Sequence, residues 1–326
     1  MADPIATPAV AALLLNWCRA DLTLRCLQDL LAQAEPVLVL VLDNGSDPAT
    51  VAALRAGVAS LAPRPSHPAA PGAPPATRHV VELVELPANL GFTGGMNEGF
   101  RRAAAAGCAY ALVLNNDLRL PADFLAPLRA VLEHDPAVAA VGPTVLHPDG
   151  TVWAQGGELG CVPNGLVLRG HGGPPASREH GPEAVPFLPC ACVLFRLATV
   201  TAVGGFDDRY FMYWEDVDLC ERLAARGGKV VWLPWVQVVH AAGQSSGGGR
   251  SPLRKFLMAC NAVRHLRARG TLRQWLGWLL CDVLAWPLVL ASGPRPALAK
   301  LRGTWAGLVG HQASAADVGR YLPPRR

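Results

Sequence analysis

The fold of this chain is decided by one stretch near its start, PAVAALLLNWCRADLTLRCLQDLLAQAEPVLVLVLDNGS, at residues 8–46. Two continuous apolar runs, Pro8–Leu15 and Val37–Leu42, are typical of strands that a parallel sheet buries on both faces. Between them, apolar residues recur at helical spacing from Asp21 to Ala34. This order of strand, helix and strand predicts an α/β fold with a Rossmann-like, mostly parallel sheet flanked by helices.

A polar turn, Asp43-Asn44-Gly45-Ser46, follows the second of these strands directly. In open α/β sheets, ligands bind beyond the carboxyl ends of the strands, so Asp43 is placed to face a ribose or a base. A tight turn in which Asp43 caps the next helix explains the same residues equally well.

A glycine-rich stretch, NLGFTGGMNEG at residues 89–99, follows the third apolar run. Glycine permits close approach of a backbone to another group, so we expect a loop that lies against a nucleotide before a helix from Asn97 to Ala106. The spacing of a phosphate-binding P-loop is absent, and the glycines alone are weak evidence for ligand contact.

The next apolar run, Tyr110–Leu114, leads directly into Asn115-Asn116-Asp117. A carboxylate with amide neighbours at a strand end offers the oxygen ligands that Mg²⁺ or Mn²⁺ prefer, while a diphosphate fills the remaining positions. The alternative is another Asp-rich turn. The pattern then changes to short strands and turns from residue 137 onward.

The most crowded carboxylates are Glu215, Asp216 and Asp218, which lie behind an aromatic run and ahead of a helical pattern. Like charges this close raise one another's pKa unless they are compensated, so the cluster indicates a site. Acidic residues in a first helical turn also complement the helix dipole, which is the simpler explanation.

His240 ends the last predicted strand, and the Ser/Gly-rich segment after it is either a mobile lid or a linker.

Composition excludes several classes of protein. A formal net charge of +4 over 326 residues, with no continuous basic face, argues against a nucleic-acid partner. Nine unevenly spaced cysteines support neither a disulfide framework nor a zinc site, so we expect a reducing, cytoplasmic compartment. Residues 62–77, nearly all Pro, Ala and Gly, are interpreted as a flexible insertion.

The C-terminal part, residues 251–326, is helical and basic in pattern. Its apolar, tryptophan-bearing stretch at 272–291 is slightly short and impure for a membrane span. It fits a peripheral contact with the inner face of the cytoplasmic membrane or a homodimer face.

Together these features resemble glycosyltransferase family 2, whose members are inverting enzymes with the GT-A fold. The resemblance covers roughly residues 10–250 and is greatest to the bacterial rhamnosyltransferase and galactofuranosyltransferase-like branch. It rests on motifs in a fixed order: NWCRADLTLRCL, LDNGS, NLGFTGGMNEG, YALVLNND, GGFDDRYFMYWEDVDLCERLAARG and VVH. It implies a GT-A domain at 1–250, with a nucleotide-binding half at 8–136 and an acceptor-binding half at 137–250, and a helical extension at 251–326.

The resemblance also implies roles for particular residues. The donor would be a dTDP- or UDP-sugar, rhamnose being favoured, and the acceptor would be a glycan or lipid-linked acceptor in cell-surface polysaccharide synthesis. Mn²⁺ or Mg²⁺ would be the cofactor. The residues implied are Asn16, Asp43, Gly95 and Asn116 for the donor, Asp117 and His240 for the metal, Asp216 as the general base, and Glu215 and Trp214 for the acceptor.

Two alternatives remain at this point. A sugar-1-phosphate nucleotidyltransferase has a similar fold, but it should carry a glycine- and arginine-rich loop after the first strand, and NWCRADLT contains no glycine. The second alternative is a non-catalytic nucleotide- or glycan-binding relative. It is suggested by Asn115, which stands where an Asp-x-Asp motif has its first Asp.

Overall fold

The computed structural model describes residues 7–62, 78–160, 165–176, 181–240, 251–284 and 286–322. The predicted insertion at 62–77 and the Ser/Gly-rich segment after His240 lie almost wholly outside these residues. The predicted strand, helix and strand at the start of the chain are confirmed as β1 (Val10–Asn16), α1 (Ala20–Leu31) and β2 (Val37–Asp43).

The remaining elements complete a mixed sheet with helices on both faces. The first part of the chain continues with α2 (Pro48–Leu61), β3 (Val80–Glu85), α3 (Gly91–Ala105), β4 (Tyr110–Asn115), β5 (Leu118–Arg119) and α4 (Leu125–His134). The next part contains β6 (Val138–Leu146), β7 (Val152–Ala154), β8 (Gly157–Leu159), β9 (Leu166–Leu168), β10 (Glu183–Ala184), β11 (Cys192–Arg196), α5 (Leu197–Ala202), a 3₁₀ turn (Asp208–Tyr210), α6 (Glu215–Ala224) and β12 (Lys229–His240). The C-terminal helices are α7 (Pro252–Arg269), α8 (Leu272–Trp278), a π-helical segment (Leu279–Leu284), α9 (Trp286–Val289), a 3₁₀ turn (Leu290–Ser292), α10 (Pro294–Leu308) and α11 (Ala315–Tyr321).

The main sheet has the strand order β10-β12-β6-β11-β4-β1-β2-β3. Strands β4, β1, β2 and β3 are parallel, and β12 is parallel to β6, whereas β11 runs antiparallel to both β4 and β6. The mostly parallel sheet predicted from the sequence is therefore confirmed. The last strand, which the sequence predicted to end at His240, is β12, with an irregularity between Leu233 and Gln237.

Strand register brings the polar strand ends to one edge. Asn16 pairs with Asp43 across β1 and β2, and Leu15 pairs with Asn115 across β1 and β4. The short strand β5 pairs antiparallel with β12, so that Leu118 lies opposite His240. This last pairing joins the Asn-Asn-Asp turn to the end of a strand more than a hundred residues later.

The glycine-rich stretch does not form the predicted loop. Helix α3 begins at Gly91, six residues before the expected start, and includes the glycines of the stretch. A Cβ at Gly95 would lie 2.5 Å from Leu15 Cδ1, and one at Gly99 would lie 2.9 Å from Leu13 Cδ1. The glycines therefore permit the helix to approach β1 closely.

The C-terminal helices pack against the sheet domain as well as against one another. Phe211, next to the acidic cluster, shares a buried cluster with Leu253, Phe256 and Leu257 of α7. Helix α10 packs on α7 at Gly303, where a methyl group would collide with the Phe256 carbonyl. Within the described ranges, no helix has both the length and the apolar character needed to cross a bilayer.

Candidate active site

A cleft of about 700 Å³ opens at the edge where the strand ends meet. Its walls come from distant parts of the chain: the Asn115–Asp117 turn, the Trp214–Asp216 segment, His240 and the start of α7. The predicted metal ligands, the predicted base and the two predicted acceptor residues therefore all line one cavity.

Asp117 and His240 form a buried pair on this wall. Asp117 Oδ1 lies 2.9 Å from His240 Nε2, and their side chains are 5% and 6% exposed. The Asn115 amide lies 3.4 Å from the same imidazole nitrogen, and the Trp153 ring packs edge-on against the imidazole with centroids 4.9 Å apart. The buried His240 Nδ1 has no hydrogen-bond partner among the described residues.

The two ligand atoms of this pair suit a divalent cation such as Mn²⁺, because a carboxylate oxygen and an imidazole nitrogen lie side by side. No third His, Cys, Asp or Glu completes a metal-binding cluster in the part of the chain that the structure describes. Two protein ligands would leave the remaining coordination positions to donor oxygens and water.

The acidic segment is held in an unusual backbone conformation. Phe211, Tyr213 and Trp214 have φ angles of 61°, 71° and 73°, in the left-handed region that side chains other than glycine rarely adopt. Each such residue costs about 1–3 kcal/mol unless the surroundings enforce it. The strained turn delivers Trp214, Glu215 and Asp216 to the cleft wall at the N-terminus of α6.

The strain is offset by a side chain from α7. Asn261, which is fully buried, donates from Nδ2 to the carbonyls of Tyr210, Met212 and Tyr213 at 2.8, 2.9 and 3.0 Å. From the other side, the amide of Phe92 in α3 donates to the Phe211 carbonyl at 2.7 Å. The turn is thus fixed from two helices.

Burial changes the acidity of the two carboxyls at the cleft. Loss of hydration raises the pKa of Asp216 to about 6. Loss of hydration, with the neighbouring Asp216 charge, raises the pKa of Glu215 well above its ordinary value. Asp218, by contrast, does not line the cleft, and it forms ion pairs with Arg222 at 2.7 Å and with Arg269 at 3.4 Å.

The predicted donor residues divide into two layers. Asn116 lines the cleft, and its amide donates to Thr23 Oγ1 at 2.9 Å. Thr23 donates to Asn16 Oδ1 at 2.7 Å, and Asn16 donates to Asp43 Oδ1 at 2.8 Å. Asn16 and Asp43 are thus fully buried behind the wall, in a network that ties together β1, β2 and the Asn-Asn-Asp turn. Gly95 does not reach the cleft, because it lies within α3 on the side that packs against Leu15 of β1.

Sequence reasoning missed several residues that line or support the cleft. Asn44 lines it and holds the start of α3, because its Oδ1 accepts from Leu90 N at 2.9 Å and its Nδ2 donates to Gly91 O at 3.0 Å. The position of Asn44 beside Asp43 in the polar turn was the available signal. Arg254 and Asn261 have no comparable signal, since they lie in an ordinary helical pattern.

Comparison with known families identifies the chain. Residues 16–198 match the family described as glycosyl transferase family 2. The chain belongs to this family. It is therefore a glycosyltransferase rather than a nucleotidyltransferase, and the family assignment made from its motifs is confirmed.

One similar relative of this family 2 glycosyltransferase is the N-acetylglucosaminyl-diphospho-decaprenol L-rhamnosyltransferase of Mycobacterium tuberculosis. The two are 28% identical over 284 residues, which cover 75% of this chain and 87% of the relative. A further similar protein, the O-antigen biosynthesis protein RfbC of Myxococcus xanthus, is 30% identical over 47% of this chain and 12% of its own length. Rhamnosyltransferases are thus among its relatives.

Solved structures confirm the GT-A type of fold. The mannosyltransferase PcManGT from Pyrobaculum calidifontis, in complex with GDP-Man and Mn²⁺, superposes with a TM-score of 0.55 at 19% identity, covering 100% of this chain and 90% of its own. GalNAc-T7 with UDP, GalNAc and Mn²⁺ gives 0.59 at 12% identity, covering 97% of this chain and 58% of its own. Both of these proteins were solved with Mn²⁺.

Proposed function

We propose that this glycosyltransferase moves a sugar, with rhamnose favoured, from a dTDP- or UDP-linked donor to a glycan or lipid-linked acceptor in cell-surface polysaccharide synthesis. The named activity of the Mycobacterium tuberculosis relative supports both the sugar and a lipid-diphosphate acceptor. The observation that carries the mechanism is that one cleft contains both the Asp117–His240 pair and Asp216.

Asp117 and His240 are assigned to the donor side of the cleft. They would hold a divalent cation, Mn²⁺ or Mg²⁺, which when bound neutralises charge on the departing diphosphate. The solved structures with Mn²⁺ support this assignment. Asn115, placed beside His240, contributes an amide rather than a second carboxylate, so the site depends more on the diphosphate for its remaining ligands.

Asp216 is assigned as the general base. The acceptor hydroxyl oxygen forms a bond to the anomeric carbon from the face opposite the diphosphate, while the bond to the diphosphate oxygen breaks. The hydroxyl proton passes to the Asp216 carboxylate. A single displacement of this kind inverts the anomeric centre and needs no covalent intermediate. Glu215 and Trp214, on the same wall, are assigned to orienting the acceptor sugar.

The base assignment is tested with Asp216→Asn. We expect kcat to fall by about 10²–10⁴-fold, because the amide cannot take up the proton. The measurement is release of nucleoside diphosphate from a panel of dTDP- and UDP-sugars with Mn²⁺, with and without glycan acceptors. Asp123→Asn makes the same chemical change at an exposed position and should leave kcat unchanged. Full activity of Asp216→Asn would remove the assignment.

The metal assignment is tested with Asp117→Ala and His240→Ala. We expect each substitution to abolish the Mn²⁺-dependent part of donor binding in isothermal titration calorimetry, since one of the two proposed protein ligands is lost. The Asp123→Asn protein again serves as the control. Donor affinity that is equal with and without Mn²⁺ in the unaltered protein would contradict a metal at this pair.

A further inference from the structure

Exposed apolar side chains are concentrated in one region. Apart from Leu90 and Val167, all the exposed large apolar residues found in the described ranges lie between 272 and 309. They are Leu272, Leu276, Leu279, Leu280, Val283, Leu284, Leu288, Leu290, Leu298, Leu301, Trp305, Leu308 and Val309. Leu272 and Leu288 are 76% and 77% exposed, and Trp305 is 66% exposed. Large exposed apolar side chains concentrated in this way mark an interaction site.

An ion pair holds two of the segments that carry these residues together, and we call the exposed apolar residues between 272 and 309 the 272–309 face. Lys300 Nζ of α10 lies 2.5 Å from Asp282 Oδ1 of the π-helical segment, and both side chains are nearly buried at 11% and 9% exposure. Helix α10 also contacts α9 and the 3₁₀ turn before it. Five of these thirteen residues, from Leu298 to Val309, lie beyond the 272–291 stretch that the sequence pattern indicated.

The charge of the face is one-sided. Asp282 is the one acidic residue between 272 and 309, and Lys300 neutralises it. Arg273, Arg295 and Arg302 are exposed on the same elements. Apolar residues flanked by arginines, without free carboxylates, complement an anionic bilayer surface. A second copy of the chain fits less well, because a two-fold contact would bring the same cationic patch against itself.

The face continues towards the cleft through further cations. Burial, Lys300 and Arg254 together lower the pKa of Lys255 at the start of α7. Arg254 lines the cleft, with its guanidinium 5.9 Å from the centroid of the Tyr213 ring. The nearby carboxylate that acts on Lys255 is Asp282, which Lys300 already pairs. Three cations, Lys300, Lys255 and Arg254, thus share the single carboxylate Asp282, and this excess of positive charge suits the phosphate groups of a lipid and of a lipid-linked acceptor.

We propose that the 272–309 face lies in the interface of an anionic lipid bilayer and presents the cleft to an acceptor whose lipid tail remains in that bilayer. The inference rests on the proposed function for its acceptor, but the lipid contact itself is measurable without turnover. The α8, α9 and α10 segments lie along the surface and do not cross it.

Vesicle flotation tests the lipid contact. The full chain is mixed with vesicles of phosphatidylcholine alone or with about 30% phosphatidylglycerol, at low and high salt. We expect binding that requires the anionic lipid and weakens with salt. The triple variant Leu280→Gln, Leu284→Gln and Leu288→Gln should bind at least about tenfold more weakly. Leu90→Gln, an exposed apolar residue away from the face, should bind as the unaltered chain does.

Three results would overturn the proposal: no vesicle binding by the unaltered chain, equal binding by the triple variant, or a solution dimer that the triple variant converts to a monomer without any vesicle binding. Light scattering on a sizing column detects the dimer of the third result.

Acceptor assays separate this proposal from the proposed function. The triple variant should keep its turnover with a water-soluble acceptor and lose at least about tenfold with a long-chain acceptor embedded in vesicles. Vesicle binding without nucleoside diphosphate release from any donor would sink the proposed function and leave the lipid contact standing.

Discussion

At the scale of single residues, the site depends on how the environment of Asp216 changes its chemistry. The carboxyl lies on the cleft wall beside Glu215, and loss of hydration raises its pKa to about 6. A base with a raised pKa holds a transferred proton more firmly, yet it is still mostly ionised at neutral pH. Asp218, two residues later, does not line the cleft and instead forms ion pairs with Arg222 and Arg269.

This environment predicts the pH dependence of the reaction. As the proposed base, Asp216 can accept a proton only when it is ionised, so kcat/KM should fall about tenfold for each pH unit below the pKa of about 6. The measurement is nucleoside diphosphate release between pH 5 and 8 with saturating Mn²⁺, with donor binding followed in parallel to separate loss of the metal site. A rate that is flat across this range would contradict the assignment of Asp216 as the base.

At the scale of elements, the acidic segment is shaped by contacts that it does not itself encode. Its three left-handed residues are held by Asn261 of α7 and by the amide of Phe92 in α3. The C-terminal helices are therefore part of the active-site architecture, because α7 positions the turn that precedes Asp216.

Replacing Asn261 should affect catalysis more than donor binding. Asn261→Leu removes the hydrogen bonds to three carbonyls, of which that of Tyr210 is buried and the other two are partly buried, and this should lower the free energy of unfolding by about 1–3 kcal/mol. The relaxed turn should displace Asp216, so kcat falls, while the donor Kd, which we assign to Asp117 and His240, should stay unchanged. Asn97→Ala, which loses hydrogen bonds to Phe206 in the same segment, is the matched control and should change stability with a smaller effect on kcat. Equal losses of kcat in both variants would argue for a purely structural role.

The packing of α10 on α7 gives a second prediction at this scale. Gly303→Ala should destabilise the protein by about 1–3 kcal/mol, because the added methyl group meets the Phe256 backbone, which cannot move aside without shifting α7. Gly319→Ala places the same methyl group in open space on α11 and should be neutral or stabilising. Chemical denaturation of both variants checks this, and equal stability of the two would contradict the packing argument.

At the scale of the whole molecule, the glycosyltransferase core and the C-terminal helices share buried contacts. Phe211 lies in a buried cluster with Leu253, Phe256 and Ala299, so residues on both sides of position 250 shield one another from solvent. The division into domains at 250 stays a prediction, and these contacts indicate that the two parts depend on each other for stability.

We therefore expect thermal unfolding as one cooperative transition. Calorimetry and tryptophan fluorescence should give the same midpoint, because a separated C-terminal part would expose Leu253 and Phe256 and leave the Phe211 turn without Asn261. Two well-separated transitions, or a chain ending at residue 250 that unfolds at the same temperature, would show independent domains.

The sequence by itself determined the strands and the chemistry at their ends. Continuous apolar runs such as Val37–Leu42 require burial on both faces, and this local requirement already selects a parallel sheet. Polar residues at strand ends then have to meet at one edge, which is why Asn116 and Asp117 could be placed at a site without coordinates. The order of the motifs identified the family.

The tertiary structure decided which of these residues face the cleft and which support it. Asn16 and Asp43 share a strand-end pattern with Asp117, yet they are buried in a network behind the wall, and Gly95 packs on a strand. Asp117 meets His240 only because β5 pairs with β12. Periodicity records whether a residue is buried, whereas its partner across the chain is set by strand order and helix packing, which no local pattern contains.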